Sequence, residues 1–179
     1  MFPKRRITMG GDVFRDEHSV IFDGTNDYIS IGANAALYPN DADWAISFWF
    51  KSTNAEEDFI VSGGDENDKG FFQFKLKGNA SGEIRCFLYD KDNTQELAFN
   101  TAATGLNDGA WHHFAYTLDW SAKKGYAYVD GVLSQSAANT NVVTLANDDD
   151  GIHIGKKYNA SSKYFTGSVS EMAIYNRFL

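Results

Sequence analysis

The chain reads as an all-β protein, a two-sheet antiparallel jelly-roll sandwich, on three observations. Apolar residues recur with period two in about a dozen short runs. Gly, Asn, Asp and Ser break those runs every eight to twelve residues or so, the spacing of a sandwich. Phe, Tyr and Trp make up 15% of the 179 residues against two prolines, a composition that suits half-buried pleated strands better than helices. A chain of this length fits one domain, since about 150 residues bury roughly 70% of their unfolded surface.

Residues 1–18 lack periodicity and carry Lys4, Arg5 and Arg6, so they read as an N-terminal arm before the domain at 19–179, either a disordered tail or an anchor that orders on an acidic partner. The domain opens with SVIFDG and DYISIG around Thr25-Asn26, read as two short strands forming a hairpin. WAISFWFKS alternates strictly, turning Trp44, Ile46, Phe48 and Phe50 inward and Ser47, Trp49 and Lys51 outward. FIVSGG is a short strand. FFQFKLKG turns Phe72, Phe74 and Leu76 inward with Gln73, Lys75 and Lys77 outward, and EIRCFLYD turns Ile84, Cys86 and Leu88 inward with Arg85, Phe87 and Tyr89 outward. QELAFN is a further strand.

GAWHHFAYTLDWSAKKGYAYVDG, residues 109–131, is a hairpin around SAKKG. His112, Phe114, Tyr116 and Leu118 share one face, while Trp111, His113, Ala115, Thr117 and Asp119 share the other. VLSQSA, VVTLAN, GIHIG and YFTGSVSEMAIYN complete the set, the last with Val169 and Ala173 set against Ser168 and Ser170.

Charge and composition remove several function classes. The net charge is −8, and since the arm is basic the body is more acidic still, the wrong sign for nucleic acid. Cys86 is the sole cysteine, so no internal disulfide forms. MFPKRRITMGGDV lacks the apolar core of a signal peptide, and no run of about 18 apolar residues could span a bilayer. The expectation is a protein without a membrane span that reaches the exterior by a signal-independent route. The sequons at Asn79 and Asn159 then read as chance matches.

Four segments in this order resemble the laminin G-like, concanavalin A-like jelly-roll domains of the pentraxin-related type: FDGTNDYISIG (22–32), WAISFWFK (44–51), the 109–131 hairpin, and IHIGKKYNASSKYFTGSVSEMAIYNRFL (152–179). The resemblance implies two sheets packed face to face, one of them concave, with rim loops that bind calcium, sugar or protein. In FDG and VDG the glycine permits a tight turn and the aspartate can bond back to the turn amides.

Catalysis has little to stand on. The laminarinase-like relatives of this fold place E-x-D-x-x-E on one strand, and retaining hydrolysis needs carboxylates about 5 Å apart. Glu56-Glu57-Asp58 starts that motif but has Val61 where the last glutamate should be. His112 and His113 are adjacent and diverge, so they cannot share a metal, and Cys86 faces the core as an inert thiol. Calcium is the cofactor the resemblance implies. The acidic loops at 23–27, 65–68 and 148–150 offer oxygen ligands, and the expected structural ion sits at Asp23, Asn26 and Asp27. DENDKG begins like an EF-hand loop, but Lys69 and Leu76 stand where acceptors are needed.

If strands 44–51, 71–77, 83–89, 111–119 and 126–130 share one sheet, its outward set includes Trp49, Gln73, Lys75, Arg85, Phe87, Tyr89, His113, Tyr126 and Tyr128. Aromatics interleaved with polar groups suit sugar rings or a protein surface. The functional expectation is a non-catalytic binding module at the surface of a bacteriophage particle. In this expectation the arm attaches it to a capsid or tail protein, it binds host glycans, and it assembles as a homo-oligomer. The alternatives are a free lectin and a laminarinase-like glycoside hydrolase.

Overall fold

Alternation in the sequence becomes burial in the fold. Trp44, Ile46, Phe48, Phe50, Phe72, Phe74, Leu76, Ile84, Cys86, Leu88, Phe114, Tyr116 and Leu118 are all buried in one contiguous core. The computed structural model describes residues 18–64, 71–77, 81–91, 96–142, 151–158 and 160–179. Among them are twelve strands and a single 3-10 turn at Ala35–Leu37. The arm cations Lys4, Arg5 and Arg6, the sequon asparagines Asn79 and Asn159 and the acidic loops at 65–68 and 148–150 lie outside the described residues.

The strands form two six-stranded antiparallel sheets. The first runs, in spatial order, β1 (Val20–Asp23), β12 (Thr166–Tyr175), β3 (Trp44–Lys51), β8 (His112–Asp119), β9 (Lys124–Val129) and β10 (Val132–Ala138). The second runs β2 (Ile29–Ile31), β11 (Ile152–Ile154), β4 (Asp58–Gly63), β5 (Phe72–Leu76), β6 (Ile84–Tyr89) and β7 (Glu96–Asn100). Their inner faces supply the core, and aromatic rings dominate it. Phe74 lies 5.1 Å from Tyr116, 5.4 Å from Phe114 and 6.4 Å from Trp44, ring centre to ring centre, so one side chain of the second sheet meets three of the first.

Three expectations need correction. The FDGTNDYISIG segment is not a hairpin: β1 pairs with β12 and β2 with β11, so the turn carries the chain from one sheet to the other. Both strands are short, and each finds its hydrogen bonds with a distant strand. In β12 the alternation slips at Glu171, which adopts φ +48° in a β-bulge between Ser170 and Ala173. Val169 is buried in the core while Ala173 pairs with outward Ser47, so the two do not share a face. Finally, β3, β8 and β9 belong to the first sheet and β5 and β6 to the second, so the five strands do not share one surface.

Polar groups close the rim. Asp58 Oδ2 on β4 accepts from Asn54 Nδ2 at 2.7 Å and from the Thr166 N–H at 3.0 Å, joining the second sheet to β12 of the first. At the β8–β9 turn, Asp119 Oδ1 accepts from Ser121 Oγ and the Ala122 N–H at 2.7 and 2.9 Å. Asp130 does not bond to its own turn. Its carboxylate accepts from the His113 N–H at 2.8 Å and meets His112 Nδ1 at 2.9 Å, while His112 Nε2 lies 3.2 Å from Asp108. His112 thus ties the two Asp-Gly turns together.

Tyr116 carries the buried hydroxyl that this core does not satisfy: its Oη has no hydrogen-bond partner. The hydroxyl occupies the space over Gly125, where a Cβ would collide with it. Gly125→Ala is therefore expected to cost about 1–3 kcal/mol by overpacking. Tyr116→Phe, which removes an unsatisfied polar atom, is expected to stay within about 1 kcal/mol of the parent. The double variant should recover most of the Gly125→Ala loss in urea unfolding, whereas additive losses would place the clash elsewhere.

Candidate functional site

The eight outward side chains expected to bind ligand divide between opposite sides of the sandwich. Trp49, His113, Tyr126 and Tyr128 lie on the outer face of the first sheet. Lys75, Arg85, Phe87 and Tyr89 lie on the outer face of the second.

On the first sheet, Trp49 and His113 are cross-strand partners with ring centres 5.1 Å apart. Burial holds the His113 imidazole below its ordinary value, against the opposing pull of Asp130 and Glu171. Farther along the same face the chain's last residues lie over the sheet. The Leu179 N–H donates to Thr117 Oγ1 at 3.1 Å, and Phe178 packs edge-on against Tyr126 at 5.6 Å. Lys124 Nζ stands 4.7 Å from the Tyr126 ring centre. Of the expected platform, Tyr126 is thus already in contact with the chain's last residues.

The outer face of the second sheet is more continuous, with Phe59, Ser62 and Gln73 buried within it and Phe71, Lys75, Arg85, Phe87 and Tyr89 half-buried. Its register aligns Phe59, Lys75, Arg85 and Asn100 across four strands, and Ser30, His153, Ser62, Gln73, Phe87 and Ala98 across six. Along one edge of these rows the aromatic rings form a ridge. Phe71 stacks on Tyr89 at 4.3 Å and Tyr89 on Phe87 at 5.9 Å, and the Arg85 guanidinium lies 4.3 Å from the Phe87 ring centre. Lys75 Nζ stands 5.2 Å from both the Phe59 and the Phe87 rings and 3.0 Å from Glu57. Tyr158 packs on Phe71 at 5.6 Å, and Ser62 Oγ donates to the Lys156 carbonyl at 2.8 Å, so the 155–158 segment borders the face. Cation–π and stacking contacts hold long side chains in place before any ligand arrives.

Two members of this face, half-buried Phe71 and buried Phe59, are not among the residues expected from the sequence. Phe71 has the same parity as Gln73 and Lys75, a signal that was available in FFQFKL. Phe59 had none, because a bulge between Phe59 and Val61 breaks the alternation of a continuously apolar run.

The Asp23–Asp27 turn spends its carboxylates on its own backbone. Asp23 Oδ1 accepts the Thr25 N–H at 2.8 Å and the Asn26 N–H at 3.5 Å, and Asp27 Oδ2 accepts the Asp23 N–H at 3.3 Å. Calcium takes roughly six to eight oxygen ligands, and among the described residues no three His, Cys, Asp or Glu side chains converge as a metal site. Asp23, Asn26 and Asp27 therefore do not fit a calcium centre by themselves; they fit a capped turn.

The family model of the concanavalin A-like lectin/glucanases superfamily matches residues 23–179. The chain belongs to this superfamily. No curated protein matches it in sequence. Among solved structures, Ruminococcus gnavus IT-sialidase CBM40 superposes with a TM-score of 0.70 at 15% identity, covering 91% of this chain and 92% of that one. Domains LG4-5 of the mouse laminin alpha1 chain give 0.71 at 13% identity, over 97% of this chain but 48% of that one. A SAP-like pentraxin from Limulus polyphemus gives 0.64 at 14% identity, over 90% and 76%. These likenesses establish the laminin G-like jelly-roll fold.

For a member of this superfamily, hydrolysis would need two carboxylates facing one another across a cleft. Glu57 and Asp58 diverge instead. Glu57 pairs with Lys75 on the outer face, while Asp58 is buried against Asn54 and Thr166, where burial pushes its carboxyl above the usual range against the effect of those bonds. Cys86 is fully buried, and burial pushes its thiol far up. The described residues therefore offer a binding surface and no paired acid and base. No helix among them is long and apolar enough to cross a membrane.

Two measurements check this account. A base held below its ordinary value of about 6.5 is neutral in the fold while the unfolded chain already binds a proton. Stability from His113 is therefore complete above about 6.5 and falls as the pH drops toward the lowered value. The melting midpoint of the parent should fall more steeply from about pH 7.5 to about pH 5.5 than that of His113→Gln; parallel curves would remove His113 from the balance. Excess EDTA should leave the melting midpoint unchanged, and a drop of several degrees would reinstate calcium.

Proposed function

We propose that this chain is a non-catalytic carbohydrate-binding module whose glycan lies across the outer face of the second sheet. The observation that carries the reading is the ridge of Phe71, Tyr89 and Phe87, stacked in series and flanked by Arg85 and Lys75. A saccharide presents apolar C–H patches and hydroxyls side by side. A pre-ordered surface of ring edges and fixed donors matches both at low entropic cost. The face of the first sheet is the poorer choice, because residues 178 and 179 already touch Tyr126 and Thr117. The carbohydrate-binding module among the structural neighbours supports this class of ligand.

In the same reading, the basic arm with Lys4, Arg5 and Arg6 attaches the domain to an acidic surface of a capsid or tail protein at a virion surface. Copies gathered there as a homo-oligomer gain avidity for a weak sugar site. The support is organisational: a basic segment precedes an acidic binding domain. A free lectin is the alternative, and deletion of residues 1–17 separates the two. The deletion abolishes particle binding in the first case and leaves all function intact in the second.

The site itself is tested by glycan-array screening followed by calorimetry. Phe87→Ala and Tyr89→Ala are expected to weaken glycan binding by about tenfold or more, the effect of removing a central aromatic contact. Trp49→Ala and His113→Ala should leave affinity unchanged. The opposite pattern would move the site to the first sheet, and release of reducing sugar from any β-glucan would overturn the non-catalytic reading.

A further inference from the structure

We infer, resting on the carbohydrate reading above, that the sugar bound here is acidic and that Arg85, with Lys75 beside it, receives its carboxylate. Lys75 and Arg85 stand directly opposite one another on β5 and β6, a placement in which like charges repel. Their neighbours neutralise only part of this charge. Lys75 has Glu57 at 3.0 Å. Lys77 has Glu83 at 3.5 Å, and Glu83 also accepts from Asn100 Nδ2 at 2.9 Å. That leaves Arg85, for which no carboxylate stands within ion-pair distance among the described residues.

The guanidinium is also unsatisfied as a donor. Arg85 Nε is buried without a hydrogen-bond partner, although arginine presents five N–H groups in a rigid fork. Phe87 covers one face of the guanidinium at 4.3 Å, which orients its plane and leaves the edge at the Nη1–Nη2 end, not the buried Nε, for an acceptor. A planar carboxylate fits such an edge with two parallel hydrogen bonds. The charge of the whole chain sharpens the point. A protein of net charge −8 repels anions at long range, so an arginine without a carboxylate partner beside an aromatic ridge is a local device and not part of a general basic surface. An acidic sugar satisfies both halves of the site, its ring against the ridge and its carboxylate on Arg85.

Calorimetry of the intact chain with lactose, α2,3-sialyllactose, a glucuronate disaccharide and 3′-sulfated lactose tests this. At least one carboxylated sugar is expected to bind about tenfold or more tightly than lactose, as loss of a charge-assisted pair would predict. Arg85→Gln should bring that sugar down to the affinity of lactose, and Lys75→Gln should produce a smaller loss. Because Arg85 has no acceptor among the described residues, Arg85→Gln should keep its melting midpoint. As a check that needs no variant, added sodium chloride should weaken the parent's binding of the carboxylated sugar but not of lactose. Equal affinity for neutral and carboxylated sugars would overturn the inference while leaving the carbohydrate reading intact. Tighter binding of the sulfated sugar than of either carboxylated one would overturn the assignment of a carboxylate. Binding of none of the four would overturn the inference, and an empty glycan array beside it would overturn the carbohydrate reading as well.

Discussion

The packing of Phe74 against Trp44, Phe114 and Tyr116 is the contact on which the rest of the molecule depends. It joins the central strand of one sheet to two central strands of the other, and it does so with side chains that bury large areas in fixed geometry. Once these rings face inward, strand geometry sends every alternate residue outward. The functional surface is therefore a by-product of core packing: Lys75 is outward because Phe74 and Leu76 are inward, and Arg85 and Phe87 are outward because Ile84, Cys86 and Leu88 are inward. With no disulfide available to the chain's single cysteine, this aromatic contact and the Asp58–Thr166 clasp at the rim hold the sheets together.

The two outer faces differ in what their side chains already touch. On the first sheet, Tyr126 and Thr117 engage the last residues of the chain, and His113 is half-buried beside Trp49. On the second, the rings form a row ordered by stacking, with Arg85 and Lys75 lying against them. A ligand surface needs groups that are held in place yet retain bonding capacity toward solvent. Arg85 meets both conditions, since Phe87 fixes its plane and the half-buried side chain has no carboxylate partner among the described residues.

Much of this was legible before any coordinates. The inward sets of β3, β5, β6 and β8 follow from period-two patterning, and Cys86 could be placed in the core by parity alone. Four of the eight expected ligand-binding residues do lie together on one face. They were grouped with four others because parity tells which side of its own strand a residue occupies, not which sheet that strand joins. Phe59 was missed for a related reason: β4 is apolar throughout and bulged, so it carries no alternation to read.

What the amino-acid sequence determined by itself is therefore local: the strands, their inward rings and the turns where Gly and Asp stand, because each depends on neighbours within a few positions. The tertiary structure decided the assortment. Val20–Asp23 pairs with residues near 168 and Ile29–Ile31 with residues near 153, although only five residues separate the two strands. Those partners lie far along the chain, and their choice is made by the packing of whole sheets. The same packing shifts the phase of β12 at Glu171 and places Lys75 opposite Arg85. The charged pair with its unsatisfied Nε exists only because two strands came together.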